Sequence, residues 1–250
     1  LSPADLFRLA RTCSRARETV KAYVDIAFSL ETRLSRFFPD PLAFRALQAR
    51  TATLIGGYFA LHFFDRTDIA TRPLELYVYF HHRSEVGRWL LDLGYNFSPS
   101  GSQPGTFEEA ILMDSDLRED EYSTPAIKGI LALEKIVGAT RVEISMIVAR
   151  QTPIEAILHA SSTCLVNVIS FEKAYCLFPR ATLRDRRALL LHAPDGSPMG
   201  YFGDVVQCMS LNFQIIEDLE AHEVLDITRS GSYPLGWRWI DDSASWVLPL

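Results

Sequence analysis

Apolar and polar positions are most informative between Thr53 and Phe80. The run Thr53-Leu54-Ile55 predicts a short strand, and Gly56-Gly57 predicts a turn. A helix is expected to begin near Tyr58, followed by a loop from Asp65 to Arg72 and a second strand. In that strand Leu74, Leu76 and Val78 fall on one face while Glu75, Tyr77 and Tyr79 fall on the other, because side chains alternate along a strand.

Upstream, Ser2-Pro3-Ala4-Asp5 reads as a helix start, with Leu6, Leu9, Ala10 and Cys13 at helical spacing behind it. Further helices are expected over Arg15 to Leu30 and Glu31 to Phe38, the latter stopped by Pro39-Asp40-Pro41. Another runs from Leu42 to Ala49, with Phe44, Leu47 and Gln48 on adjacent turns. This all-helical start and the mixed pattern after it divide the chain into a lead-in over 1–40 and a mixed domain over 41–250, with the lead-in docked on the domain.

Downstream, Ser84 caps a helix with the stripe Val86, Trp89, Leu90 and Leu93, ended by Gly94. From Ser98 to Thr124 the chain is polar and predicts a mobile loop with one short helix. The segment Ala126 to Val137 fits either period, whereas Arg141 to Val148 alternates as a strand. Thr152-Pro153-Ile154-Glu155 is a capping box with proline at the first helical position. Strands or buried segments are expected over Leu165 to Ile169 and Ala174 to Phe178, and a basic helix over Arg180 to Leu191. Turns come next at Pro194-Asp195-Gly196 and Ser230-Gly231-Ser232, with a helix over Val205 to Leu219 between them. The last prediction is a hairpin of Gly236 to Ile240 with Ala244 to Leu248.

Composition narrows the function classes. The chain has 250 residues, 48% of them hydrophobic and 22% charged, which suffices for a substantial core without metals or disulfides. A net charge of -6 leaves no global positive field to recruit nucleic acid or an anionic membrane, although a local basic patch such as Arg180, Arg184, Arg186 and Arg187 keeps phosphate contacts open. Cys13, Cys164, Cys176 and Cys208 have neither zinc-ligand nor disulfide-framework spacing, and Cys164 reads as a buried structural thiol. With no apolar run long enough for a membrane helix and no signal sequence, the expected location is cytoplasmic or nuclear.

Glycines between a strand and a helix let a phosphate approach the backbone, and the helix N-terminus supplies N–H groups and partial positive charge. Gly56, Gly57 and Tyr58 are therefore candidate nucleotide-binding positions, and Glu75 on the neighbouring strand is a candidate ligand for a divalent metal. The plainer alternative is a tight turn beside a solvent-facing glutamate. Adjacent His81 and His82 point apart and read as turn residues.

On these residues, Leu54-Ile55-Gly56-Gly57-Tyr58-Phe59-Ala60-Leu61 and then Leu74-Glu75-Leu76-Tyr77-Val78, the chain resembles the nucleotidyltransferase (DNA polymerase beta-like) superfamily. Its signature is a strand, Gly then Gly or Ser, a helix, and a second strand bearing Asp-x-Asp. More narrowly the chain is similar to basidiomycete fungal proteins that carry this domain behind an F-box-like N-terminus. The resemblance implies an α+β fold with a mixed sheet flanked by helices. It also implies that Ala126 to Val137 is a strand paired with Arg141 to Ala149, and that the loop before it overhangs the site.

Two departures stand out. Pro73 occupies the position of the first metal-binding acid and Glu75 that of the second. The third acid comes from a later strand, where Glu143 is the candidate although the family position aligns nearer Ser145. The implied catalytic and metal-binding set is thus Glu75 and Glu143, with Mg2+ as cofactor and a nucleoside triphosphate as ligand. Three readings are open. One is a nucleotidyltransferase-fold module, depleted in acids, that binds nucleotides or partners with weak or no transfer. Another is an active transferase using Glu75, Glu143 and Asp68. The third is a ubiquitin-ligase substrate adaptor, suggested by the likeness of Leu1 to Val20 to the end of an F-box.

Overall fold

The computed structural model describes residues 3–67, 72–101, 103–112, 125–191, 198–219, 231–234 and 236–250. Four helices come first: α1 (Pro3–Ala10), α2 (Ser14–Ala27), α3 (Leu30–Leu34) and α4 (Pro41–Thr51). Side chains cap the starts of α3 and α4 by accepting otherwise orphaned N–H groups. Ser29 accepts from the Thr32 N–H at 3.3 Å, and Asp40 from those of Leu42 and Ala43 at 3.0 and 3.1 Å. The helix expected to reach Leu30 stops at Ala27, because Ser29 is committed to capping α3.

The lead-in shares its core with the rest of the chain. Phe28, Leu34, Phe37 and Phe38 lie in one apolar cluster with Phe44, Phe59, Phe63 and Leu76. Phe38 and Phe44 stack at 4.4 Å across the boundary drawn at residue 40, and the Tyr95 hydroxyl donates to the Phe37 carbonyl at 2.7 Å. Burying each such ring contributes about 1.5–3 kcal/mol, so the docking is strong.

The centre is a mixed sheet, in the order β10-β7-β6-β1-β2-β5-β4-β3. Its strands are β1 (Leu54–Ile55), β2 (Leu74–Tyr79), β3 (Asn96–Ser98), β4 (Ile127–Val137), β5 (Thr140–Ala149), β6 (Asn167–Ile169), β7 (Lys173–Cys176) and β10 (Trp246–Pro249). A second, two-stranded parallel sheet joins β8 (Arg187–Leu189) to β9 (Gln214–Ile216). Neighbours in the large sheet are antiparallel except β2 and β5, which run parallel with Glu75 opposite Ser145. The ambiguous segment after Pro125 is strand β4, and Gly138 at φ 62° makes its turn into β5. The alternation predicted for β2 holds. Leu74, Leu76 and Val78 join the main core beneath α3, α4, α5 (Gly57–Asp65), α6 (Arg83–Asp92) and α7 (Phe107–Leu112). Tyr77 faces a smaller cluster with Ala156 and Ile157 of α8 (Pro153–Leu158).

The C-terminal third departs from expectation. In place of a basic helix over 180–191 there is one π-helical turn, Arg180–Asp185, closed by Arg186 at φ 53°, and then β8, whose Ala188 is buried. Helix α9 spans Pro198–Ser210, not 205–219, and Asn212 at φ 60° turns the chain into β9. No hairpin forms over 236–248: β10 pairs with β7, while Trp237 and Trp239 are exposed in a turn. That turn is held by Asp242, which pairs with Arg238 at 2.9 Å and accepts the Ala244 and Ser245 N–H groups. Asp68, Pro194-Asp195-Gly196, Ser230 and residues 113–124 of the polar loop lie outside the described residues. Among the described residues no helix is long and apolar enough to cross a membrane.

Candidate functional site

Strand β1 ends at Ile55, and the bend after it is possible only without side chains. Gly57 adopts φ 57°, a conformation that strains other residues, and a Cβ there would lie 2.1 Å from Glu75 Oε2. A Cβ on Gly56 would lie 2.8 Å from Tyr77 Cε2. The glycines are needed because this chain's own side chains pack directly on the backbone.

Glu75 reaches across from β2 into the bend. Its Oε1 accepts the Tyr58 N–H at 3.2 Å and its Oε2 the Tyr77 hydroxyl at 3.0 Å. The first turn of α5, to which Gly56 offers no side-chain cap, is thereby capped by a carboxylate from the neighbouring strand. Burial pushes the Glu75 carboxyl above its ordinary range, and nearby Asp204 adds to the rise. The two hydrogen bonds and Arg72 oppose it. Tyr77 is raised well above a free phenol, first by burial and then by the Glu75 charge.

A second acid enters from α9. Asp204 accepts the Tyr58 hydroxyl at 3.0 Å and the Ser161 hydroxyl at 2.7 Å, so Tyr58 touches both acids, Glu75 through its backbone and Asp204 through its ring. Burial and then Asp204 raise the Tyr58 phenol, and the Arg72 guanidinium lies 4.6 Å from its ring centre. One helical turn beyond, Cys208 Sγ is 3.5 Å from Cys164 Sγ, with the Ser162 hydroxyl 3.3 Å from Cys164. The neighbouring thiol and burial push Cys164 up.

Of the residues singled out in the sequence, Gly56, Gly57, Tyr58 and Glu75 converge. Glu143 does not join them. It lies on β5 two residues before Ser145, opposite Glu134, and its exposed carboxylate pairs with Arg141 at 2.7 Å. Beside Glu75 the sheet offers Ser145, and before it Pro73; neither carries a carboxylate. Among the described residues no group of three or more His, Cys, Asp or Glu side chains could hold a metal ion. The donor set among the described residues does not fit the Mg2+ pair of a transferase, since Glu75 is already engaged by two protein donors and Asp204 by two hydroxyls.

Sequence reasoning missed Asp204 and Ser161. The available signal was an isolated acid in the otherwise apolar run Phe202-Gly203-Asp204-Val205-Val206, since a lone carboxylate on a burying face needs partners. Nothing local in the sequence identifies Ser161 as one of them. Compared with protein-family models, curated proteins and solved structures, the chain matches none.

Proposed function

We propose that this chain is a nucleotidyltransferase-type scaffold retired from transfer, serving as a nucleotide-binding or interaction module. The reading is carried by Glu75: the retained acid is used to cap Tyr58 over Gly57, while Pro73 and Ser145 stand where further acids are needed. Supporting it are the strand, paired glycines and helix that lead to an acid-bearing strand, and the adjacent parallel β5 from which a third acid would come. A phosphate approaching the glycines meets a carboxylate already in place. Triphosphate affinity at the bend is consequently weak and increases when that charge is removed.

The test is calorimetric titration of the wild type and Glu75→Gln with nucleoside triphosphates and magnesium, run beside an assay for transfer of labelled nucleoside monophosphate. Weak, millimolar binding by the wild type, tighter binding by the variant and no transfer by either protein are expected, and no heat from either protein at millimolar ligand would sink the nucleotide-binding reading. Sustained transfer by the wild type that Glu75→Gln abolishes would establish a working transferase instead.

A further inference from the structure

We infer that Cys164 and Cys208 form a reversible disulfide that braces α9 against the body of the chain. Their sulfurs lie 3.5 Å apart, in direct contact, although the residues are 44 positions apart in sequence. Cys164 sits in the short helical turn Thr163–Leu165, and Cys208 on α9. Both are buried in an apolar cluster with Tyr58, Leu61, Leu165, Ala188 and Phe213. The Ser162 hydroxyl stands beside the pair, 3.3 Å from the Cys164 sulfur and 3.7 Å from that of Cys208. A disulfide at about 2.0 Å requires the sulfurs to approach by about 1.5 Å, which side-chain torsions and a small movement of α9 supply. Val206 and Met209 leave part of α9 in water, so local opening of this helix admits a small oxidant.

The oxidant is a peroxide. The Cys208 sulfur is the attacking group, because the hydrogen bond from Cys164 holds its thiol below the ordinary value against the effect of burial. Its thiolate attacks one oxygen of hydrogen peroxide, the O–O bond breaks, and the departing hydroxide takes up the thiol proton as water. Cys164 then attacks the resulting sulfenic acid at sulfur. The S–O bond breaks, the S–S bond forms, and the hydroxyl leaves with the Cys164 proton as a second water. Two thiols thus lose two electrons and two protons, and one peroxide becomes two waters. One turn before Cys208, Asp204 accepts the Tyr58 and Ser161 hydroxyls, so the bond fixes the helix that brings the second acid to Tyr58. The remaining thiols are internal controls: Cys13 is exposed at the start of α2, and Cys176 lies in the main core on β7.

The experiment treats the reduced full chain with hydrogen peroxide, with and without urea, then alkylates it with iodoacetamide under denaturing conditions and maps the peptides by mass without reduction. In the folded chain a Cys164–Cys208 linked pair is expected, with Cys13 and Cys176 alkylated. The thermal midpoint should rise by about 5 °C or more, because the bond closes a long loop in the unfolded chain, and dithiothreitol should reverse the rise. Cys164→Ser and Cys208→Ser should each abolish the link and the rise, whereas Cys176→Ser keeps both. The wild-type map needs no variant, so a variant that fails to fold leaves the outcome decided. Full alkylation of Cys164 and Cys208 after peroxide, Cys208 oxidised to sulfinic acid without a link, or a link formed only in urea would each overturn the inference. A link that leaves the midpoint unchanged would refute the brace.

Discussion

Gly57→Ala tests the physical basis of the site. Alanine at φ 57° costs roughly 1–2 kcal/mol in backbone strain. Its Cβ would also fall 2.1 Å from Glu75 Oε2, so the carboxylate must leave, breaking its bonds to the Tyr58 N–H and the Tyr77 hydroxyl. Hydrogen bonds to a charged group contribute about 1.5–3 kcal/mol each, and rehydration of the displaced carboxylate returns part of that, leaving a loss of about 2 kcal/mol. The single substitution should therefore destabilise by about 3–4 kcal/mol. With Glu75→Ala already present the clash is gone, and the same glycine change should cost only the strain, about 1–2 kcal/mol. Urea denaturation of the wild type, the two single variants and the double variant, monitored by circular dichroism, measures the difference as a coupling of about 2 kcal/mol. Additivity within about 0.5 kcal/mol would refute the proposition that the carboxylate and the bend are one unit.

Two further predictions concern the scaffold. A Cβ at Gly87 in α6 would lie 1.9 Å from Phe107 Cζ, so Gly87→Ala should destabilise by about 1–3 kcal/mol despite alanine's better helix propensity, and Phe107→Leu in the same chain should recover part of the loss in urea midpoint. Asp242 is held down to about 2 by the Arg238 guanidinium and by the Ala244 and Ser245 N–H groups, so its contribution is complete above the unfolded value near 3.8 and lost as pH falls through about 2. Allowing for its partial exposure, Asp242→Asn should cost about 1 kcal/mol at about pH 6 and less than half of that at about pH 2, read from urea midpoints across that range.

What was legible depended on how local the deciding interactions are. The caps at Asp40 and Thr152 act within three residues, so the helices they start were predictable, whereas Ser29, read as part of a helix reaching Leu30, caps the next helix instead. Residues 180–191 misled because their arginines suggested a solvated helix. Ala188 instead finds a buried place beside Ile215, a partner remote in sequence. The Trp237 and Trp239 segment has strand-like composition, but Arg238 and Asp242 bind each other and close a turn. At the site, the strand, bend, helix and strand unit was readable because its glycines and alternation are short-range signals. Whether Glu143 reaches Glu75 depended on the register of two strands separated by β3 and β4, which local patterns do not set.

By itself, the sequence determined that an apolar strand breaks at paired glycines and that β2 buries Leu74, Leu76 and Val78 while turning Glu75 to the other face. Those are consequences of side-chain size, backbone freedom and the two-residue period of a strand. Only the tertiary structure decided that Glu75 folds onto the glycines as the cap of α5 and that Asp204 arrives from α9 to hold Tyr58 and Ser161. These groups come from segments far apart in the chain. Their meeting is set by how the helices pack on a sheet whose order no short stretch encodes.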